Sequence, residues 1–166
     1  MKRIGVISDT HGSFDKQFAA FFKDCDELWH CGDWGDRSVV DKMRAIAPVR
    51  GVYGNIDGND IRIEFPVHLA FETEGLRVVM LHIGGYPGRW QPAARRLIEG
   101  YRPGIVLTGH SHILKIINDR KYNLLHINPG AAGNSGFHKV KTAVKFDIDA
   151  GDIRNMKILE VERKRK

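Results

Sequence analysis

Short apolar runs alternate with amphipathic segments along the N-terminal third of the chain. The runs predict three strands, at residues 3–7, 27–31 and 49–53. Residues 14–23 carry phenylalanines at helical spacing, with Ser13 as the expected N-cap, and residues 36–46 carry a second apolar face that ends before Pro48. This βαβαβ order predicts a mostly parallel sheet with right-handed crossovers.

The remaining sequence is richer in strands. Apolar runs and alternating patterns predict strands at residues 67–72, 76–81, 105–107, 113–117, 122–127, 141–147 and 153–161. Turn residues at 73–75, 118–121 and 149–152 join three pairs of these strands into hairpins, and residues 91–100 predict a third helix. The second half of the chain is therefore expected to build antiparallel strands. Two mixed sheets packed face to face, with helices outside, give an expected α/β fold, a four-layer α/β/β/α sandwich.

Length and charge limit the classes of protein that fit this sequence. The 166 residues correspond to one domain, 1–166, and residues 163–166 form a basic C-terminal tail. The formal net charge of +6 favours anionic partners, although a terminal run of like charges is typical of a solvated chain end. Charge therefore points to phosphate esters first and to nucleic acid only weakly.

The sequence indicates the cellular compartment and the oligomeric state less directly. The apolar runs are too short to span a bilayer, so we expect no membrane association. No leader pattern precedes the first strand, and we expect a cytoplasmic protein in which Cys25 and Cys31 stay reduced. The sheet edges can support a homo-oligomer, a question that the sequence leaves open.

Polar clusters follow five of the predicted strands. They read Ser8-Asp9-Thr10-His11, Gly32-Asp33, Gly54-Asn55-Ile56-Asp57, Leu81-His82 and Gly109-His110-Ser111-His112. The carboxyl ends of strands are where α/β proteins bind their ligands. Asp, Asn and His, without a useful thiolate, are the ligand set of two divalent metal ions that hydrolyse phosphate esters.

The spacing within the clusters supports a shared cavity. His11 lies two residues after Asp9, and His112 lies two residues after His110. Residues two apart in an extended segment point to the same side, so each pair can direct two ligands at one cavity. A carboxylate can also bridge two ions held roughly 3.5–4 Å apart.

Other polar residues have more ordinary interpretations. His30, His68, His126 and His138 are expected to be capped or surface residues, and Asp36 and Asp60 to be solvated or capping residues. Asp57 either orients a ligand or belongs to a simple turn, and both interpretations stay open.

The series Asp-x-His, Gly-Asp, Gly-Asn, His and Gly-His-x-His, from Asp9 to His112, resembles that of the calcineurin-like metallophosphoesterases. Residues 7–12 and the Ile-Asn-Pro-Gly of residues 127–130 are similar to the small YfcE-like phosphodiesterases, which share their fold with the retromer subunit Vps29. The resemblance covers nearly the whole chain and implies the metallo-dependent phosphatase fold.

The resemblance also implies a role for each ligand. The first metal would be held by Asp9, His11, Asp33 and His112, and the second by Asn55, His82 and His110, with Asp33 bridging. The expected catalytic residues are Asp33, Asn55, His82 and His110, and Asn55 would also touch the substrate phosphate. A metal-bridging hydroxide would attack phosphorus in line. We expect Mn²⁺ as the working ion, ahead of Fe, Ni, Co or Zn.

Two positions depart from the family pattern. Many relatives carry His after Gly-Asn, where this chain has Ile56, so no general acid is evident and substrates with low-pKa leaving groups should react best. After His82 the chain lacks the usual His-Gly-His, and the pocket wall differs there. In the following loop Arg89 is expected to bind substrate, whereas Tyr86 and Trp90 either stack on it or pack within the loop.

The function expected from the sequence is that of a dinuclear, metal-dependent phosphodiesterase acting on small phosphate esters, including monoesters. One alternative is a non-catalytic, Vps29-like scaffold for protein partners, although every ligand position here carries a competent side chain. A nuclease is the third hypothesis, suggested by the basic charge alone.

Overall fold

The computed structural model describes residues 1–164. Its elements in chain order are β1 (Lys2–Ile7), α1 (Lys16–Phe22), β2 (Glu27–His30), α2 (Arg37–Arg44), β3 (Val49–Gly51), α3 (Asn59–Arg62), β4 (His68–Thr73), β5 (Leu76–Leu81), α4 (Pro92–Tyr101), β6 (Ile105–Leu107), β7 (Leu114–Asp119), β8 (Leu124–Pro129), β9 (Val140–Asp149) and β10 (Asp152–Glu162). None of the helices in this range is long and apolar enough to cross a membrane.

The strands form two mixed, five-stranded sheets. Sheet A has the order β10-β9-β1-β2-β3, in which β1, β2 and β3 are parallel and β9 and β10 form an antiparallel hairpin beside β1. Sheet B has the order β4-β5-β6-β8-β7, in which β5, β6 and β8 are parallel and β4 and β7 are antiparallel edges. The three expected hairpins are confirmed.

Three apolar layers hold the sheets and helices together. Between the sheets, Trp29 packs edge-on against Phe71 and Phe146, with ring centroids 5.3 and 6.2 Å apart. Helices α1 and α2 cover the outer face of sheet A, and α4 covers the outer face of sheet B through Ala94 and Ile98. The order helix, sheet, sheet, helix confirms the four-layer α/β/β/α sandwich.

Several local expectations were wrong. The N-cap of α1 is Asp15 rather than Ser13, because the chain turns for two further residues before the helix begins. The short helix α3 was not expected, and β5, β6 and β8 are parallel where the sequence indicated mainly antiparallel pairing. β9 is buried on both faces, so its alternating pattern does not mark an exposed face.

Candidate metal centre

Five loops converge where the carboxyl ends of parallel strands from both sheets meet. They follow β1, β2 and β3 of sheet A and β5 and β6 of sheet B. The loops bring together all seven side chains that the sequence assigns to metal ions, namely Asp9, His11, Asp33, Asn55, His82, His110 and His112. The expected substrate-binding Arg89 lies exposed on the loop after β5. Among residues 1–164, no hydrogen bond or ion pair links its side chain to this cluster.

The first half of the cluster surrounds the fully buried carboxylate of Asp9. Asp9 Oδ1 lies 3.1 Å from His112 Nε2 and 3.8 Å from His11 Nε2. The other oxygen, Oδ2, accepts hydrogen bonds from Ser8 Oγ at 2.6 Å and from the backbone N–H of His110 at 3.0 Å. One oxygen is therefore anchored, and the other faces these two imidazoles and that of His82, which lies 3.8 Å away.

The second half of the cluster surrounds Asp33. Asp33 Oδ2 lies 3.2 Å from His82 Nε2 and 3.6 Å from His11 Nε2, so one oxygen faces imidazoles of both halves. Asn55 Oδ1 lies 3.1 Å from His110 Nδ1 at the exposed side of the cluster. Asp33 therefore occupies the position between the two groups of side chains.

Within residues 1–164, three buried polar atoms of the cluster have no hydrogen-bond partner: Asp9 Oδ1, His11 Nε2 and His82 Nε2. Such atoms are uncommon in proteins, since a buried polar group normally has a partner. His82 Nδ1 donates to the carbonyl of Cys31 at 2.8 Å, which leaves the lone pair on Nε2 directed at the carboxylates. Lone pairs and carboxylate oxygens that face one another in a buried pocket fit bound cations, and these nitrogen and oxygen donors fit divalent ones.

The electrostatics of the pocket favour positive charge. Burial tends to raise the pKa of Asp9, but the neighbouring imidazoles of His11 and His112 outweigh it and hold that pKa well below its usual range. The Asp9 carboxylate raises the pKa of His11. Burial tends to lower the pKa of His82, but the carboxylates of Asp33 and Asp9 outweigh it, and the pKa is raised. The cluster therefore attracts protons or metal ions.

The backbone of these loops is unusual. Five residues of the cluster adopt left-handed φ angles, between 47° and 72°: Asp9, His11, Asp33, His110 and His112. This region is uncommon for residues other than glycine, and strain of this kind is typical of functional sites. A Cβ built on Gly109 would overlap Ser8 Oγ and approach Asp9 and His82, so the loop after β6 fits only with glycine there.

Asp57 ties the loops after β2 and β3 together. Its buried carboxylate accepts backbone N–H bonds from Asp33 at 3.0 Å, Gly35 at 3.0 Å and Gly54 at 2.8 Å. Of the two interpretations left open by the sequence, the structure therefore favours an orienting residue. Asp36, in contrast, caps α2 through the backbone N–H of Ser38, as expected for a capping residue.

The sequence suggested that His30 is a capped or surface residue. The structure instead places it fully buried beneath the cluster. Its Nδ1 accepts the backbone N–H of Gly32 at 3.0 Å, so Nε2 carries the proton toward Thr10 Oγ1, also at 3.0 Å. The ring stacks on Trp34 with centroids 3.7 Å apart, and burial lowers the pKa of His30 to about 3. His30 therefore supports the first two loops as a neutral imidazole.

Two further supporting residues lie at the other side of the cluster. Asn128, in the Ile-Asn-Pro-Gly segment, donates to the Gly109 carbonyl and to Ser111 Oγ, both at 3.0 Å. His138 donates from Nε2 to the Gly133 carbonyl at 2.7 Å, and its ring packs edge-on against His112 at 5.2 Å. His138 was also expected to be a capped or surface residue. Its contact with His112 was not predicted because the two residues lie far apart along the chain.

His68 and His126 complete the set of histidines that the sequence placed outside the site. His68 is exposed, as expected. His126 is buried in sheet B, where Nε2 lies 2.8 Å from Thr108 Oγ1. The expectation for His126 was wrong because its strand is covered on both faces, by sheet A and by the layer that contains Trp90.

The two departures from the family pattern face outward. The side chain of Ile56 is 46% exposed beside Asn55. In the loop after His82, Trp90 donates to Asp119 at 2.7 Å and packs edge-on against the His126 ring. The ammonium of Lys115 lies 3.9 Å from the centroid of the Tyr86 ring, a cation–π contact. Both aromatic side chains therefore contact residues of β7.

The cysteines do not take part in the cluster. Both are buried and free, and burial raises the pKa of Cys25 to about 12 and that of Cys31 still further. A protonated thiol is a poor metal ligand, so the donor set consists of carboxylate, amide and imidazole groups.

Comparison with known proteins shows the family of this chain. Residues 1–151 match the model of the calcineurin-like phosphoesterase superfamily domain. A probable metallophosphoesterase from Methanothermobacter thermautotrophicus is 30% identical over 135 residues, which are 77% of this chain and 76% of that protein. Another, from Methanocaldococcus jannaschii, is 31% identical over 135 residues, covering 77% and 67% of the two chains.

Among solved structures, the wild-type Vps29 of Entamoeba histolytica in complex with Zn²⁺ has the same fold. Its TM-score is 0.76 with 17% sequence identity, and the match covers 98% of this chain and 99% of that one. At this identity the similarity concerns the fold alone, whereas the family model and the archaeal relatives carry the sequence relationship. The chain therefore belongs to the calcineurin-like phosphoesterase superfamily and is a metal-dependent phosphoesterase of that family.

Proposed function

We propose that this protein hydrolyses phosphodiesters with two divalent cations, Mn²⁺ in the first place, and phosphomonoesters more slowly. In this proposal Asp9, His11 and His112 hold one cation, and His82, His110 and Asn55 hold the other. Asp33 contributes to both.

The position of Asp33 Oδ2 carries the proposal. This single oxygen lies 3.2 Å from a nitrogen of one group and 3.6 Å from a nitrogen of the other, so Asp33 could help to hold a cation in either group. The unpartnered atoms of Asp9, His11 and His82 around it supply lone pairs at fixed positions. When bound, two divalent cations would acidify a water molecule and neutralise charge on the phosphoryl oxygens.

The residues of the chain would then act mainly by holding geometry. His82 is fixed by its bond to the Cys31 carbonyl, and Asp33 by the Asp57-anchored loop. At the exposed rim, Asn55 can donate from its amide to a non-bridging phosphoryl oxygen, with its Oδ1 held beside His110. Fixed donors of this kind need little reorganisation as charge develops in the transition state.

The leaving group receives no proton from the position after Asn55. Ile56 is half exposed there and has no dissociable proton. We therefore expect rates to fall steeply as the pKa of the leaving alcohol rises. Aryl esters would react best, and simple alkyl esters would react slowly unless the substrate supplies its own proton donor.

The test is hydrolysis of bis(p-nitrophenyl) phosphate and p-nitrophenyl phosphate by metal-stripped protein, with and without added Mn²⁺. Asp33→Asn and His82→Ala should each lower kcat by about 10²-fold or more, because each removes a ligand that fixes the reacting geometry. The exposed His68→Ala is the matched control and should retain wild-type turnover. A faster rate on the diester than on the monoester would support the phosphodiesterase assignment.

The Vps29-like scaffold is the alternative outcome of the same experiment. Folded wild-type protein that binds Mn²⁺ but hydrolyses neither ester would contradict the proposed function. Equal activity of His82→Ala and His68→Ala would contradict the assignment of the ligands while leaving the phosphoesterase activity intact.

A further inference from the structure

A large groove lies beside the cluster, on the side of sheet A that carries α1 and α2. Its volume is about 1500 Å³, above the roughly 300–1,000 Å³ of ordinary small-ligand pockets. The start of α1, the end of α2, the segment 134–141 and the end of β10 form its walls. Its size fits an extended ligand better than a compact one.

One wall of the groove is shared with the candidate metal centre. Gly136 and His138 line the groove, and the His138 ring packs against His112. A Cβ built on Gly136 would overlap the His112 ring, so the segment lies directly against it. Arg163 holds this wall in place by donating to the carbonyls of Gly136 at 2.5 Å and His138 at 3.1 Å. The groove and the candidate metal centre therefore lie on either side of one chain segment.

The groove is strongly basic. Six cationic side chains line it against two acidic ones, Asp15 and Glu162. Lys141 is paired with Asp15, and Arg163 is occupied by the wall. The ion pairs found among residues 1–164 leave four lysines of the groove without a carboxylate partner: Lys16, Lys42, Lys139 and Lys164. The groove therefore offers free positive charge to an anionic ligand.

The groove also presents an aromatic side chain to solvent. Phe137 lies at its edge and is completely exposed, at 105% of the reference area. An exposed aromatic ring beside positively charged side chains is available to stack on a ligand in the groove. The groove is lined in addition by apolar side chains of Phe14, Ala19, Ala45, Ile46 and Val161.

From this combination we infer that the groove binds a single-stranded nucleic acid and leads its phosphodiester backbone toward the metal centre. Free lysines along a groove track the phosphates, and an exposed ring accepts a stacked base, as in other proteins that bind single strands. The inference rests on the proposed function, because it is the proposed phosphodiester chemistry that makes a phosphodiester chain the fitting polyanion. An acidic peptide would satisfy the charge but would offer the metal centre no bond to cleave.

Binding is tested separately from catalysis, with metal-stripped protein in EDTA and a fluorescent dT₁₅ strand followed by anisotropy. Wild-type protein should bind the strand with an affinity that falls as salt rises. Lys16→Ala/Lys139→Ala should make the salt slope shallower by about 1.4, since each lost phosphate contact on a single strand removes about 0.7. Phe137→Ala should weaken binding by at least about fivefold and Phe137→Trp should not, because stacking needs only an aromatic ring.

The matched control is Arg95→Ala/Arg96→Ala, which removes the same charge from the exposed face of α4 on the other side of the molecule. It should retain the wild-type salt slope. Equal weakening by both double variants would overturn the inference in favour of general charge attraction. Competition by polyglutamate as strong as that by dT₁₅ would also overturn it. If Mn²⁺-dependent hydrolysis of small diesters persists in either case, the inference fails while the proposed function stands.

Discussion

Asp57 offers the sharpest test of how the candidate metal centre is held, because one buried carboxylate accepts three backbone N–H groups from two loops. Its Oδ2 accepts two of these bonds, from Asp33 and Gly54, and Oδ1 accepts the third, from Gly35. Hydrogen bonds to a charged group contribute about 1.5–3 kcal/mol each, and a buried donor left without a partner costs about 1–3 kcal/mol.

These magnitudes separate two variants. Asp57→Asn can keep the two bonds on one oxygen, although without the charge, while its amide group faces the third N–H. We expect it to lower the free energy of unfolding by about 2–3 kcal/mol. Asp57→Ala loses all three bonds and should lower it by about 4–6 kcal/mol. Both should weaken Mn²⁺ binding by about 10–100-fold, because Asp33 and Asn55 lose their fixed positions.

The assay is urea unfolding of the metal-free protein together with Mn²⁺ titration calorimetry. Asp41→Asn, an exposed carboxylate on α2, is the matched control and should change the stability by less than about 0.5 kcal/mol. Asp57→Asn with the stability and the Mn²⁺ affinity of the control would refute the reasoning, and Asp57 would then be a simple turn residue.

Two further predictions concern loop geometry and pH. Gly109→Ala should weaken Mn²⁺ binding by about 10–100-fold, because its Cβ displaces Ser8 and Asp9, whereas Gly100→Ala, with open space around it in α4, should leave calorimetric affinity unchanged. Burial lowers the pKa of His126 from 6.5 to about 4, so the folded protein favours the neutral imidazole. The contribution of this group to the free energy of unfolding is therefore fully present above pH 6.5 and is lost as the pH falls toward 4. Between pH 7.5 and 5, urea unfolding of the metal-free wild type should therefore lose about 2 kcal/mol more than His126→Gln, and equal losses would contradict the assignment.

The order of the elements was largely readable from the sequence. The βαβαβ start and the three hairpins follow from local periodicity and turn residues, which act over short distances along the chain. The Ser13 cap and the antiparallel pairing expected at the centre of sheet B were wrong for a different reason. Where a helix begins after a tight functional turn, and which strand lies beside β6, depend on contacts with distant segments.

The candidate site was likewise predicted where the signal is local and missed where it depends on distant segments. The motifs named all seven clustered side chains, since each motif is a few residues long and follows a strand. Among residues 1–164, no hydrogen bond or ion pair holds the exposed Arg89 side chain at the cluster, so its role in binding substrate stays a prediction. His30, Asn128 and His138 were missed as supporting residues, since their partners lie in other loops.

By itself, the sequence determined the kind of chemistry in this protein, because residue types and spacings fix the donor set and the strand ends that carry it. Only the tertiary structure decided the rest. It oriented one oxygen of Asp33 toward both groups of imidazoles, buried His30 under the first loops and left a basic groove beside His112. These features arise where two sheets and several distant loops meet, and burial, strain and charge there depend on packing that no local pattern encodes.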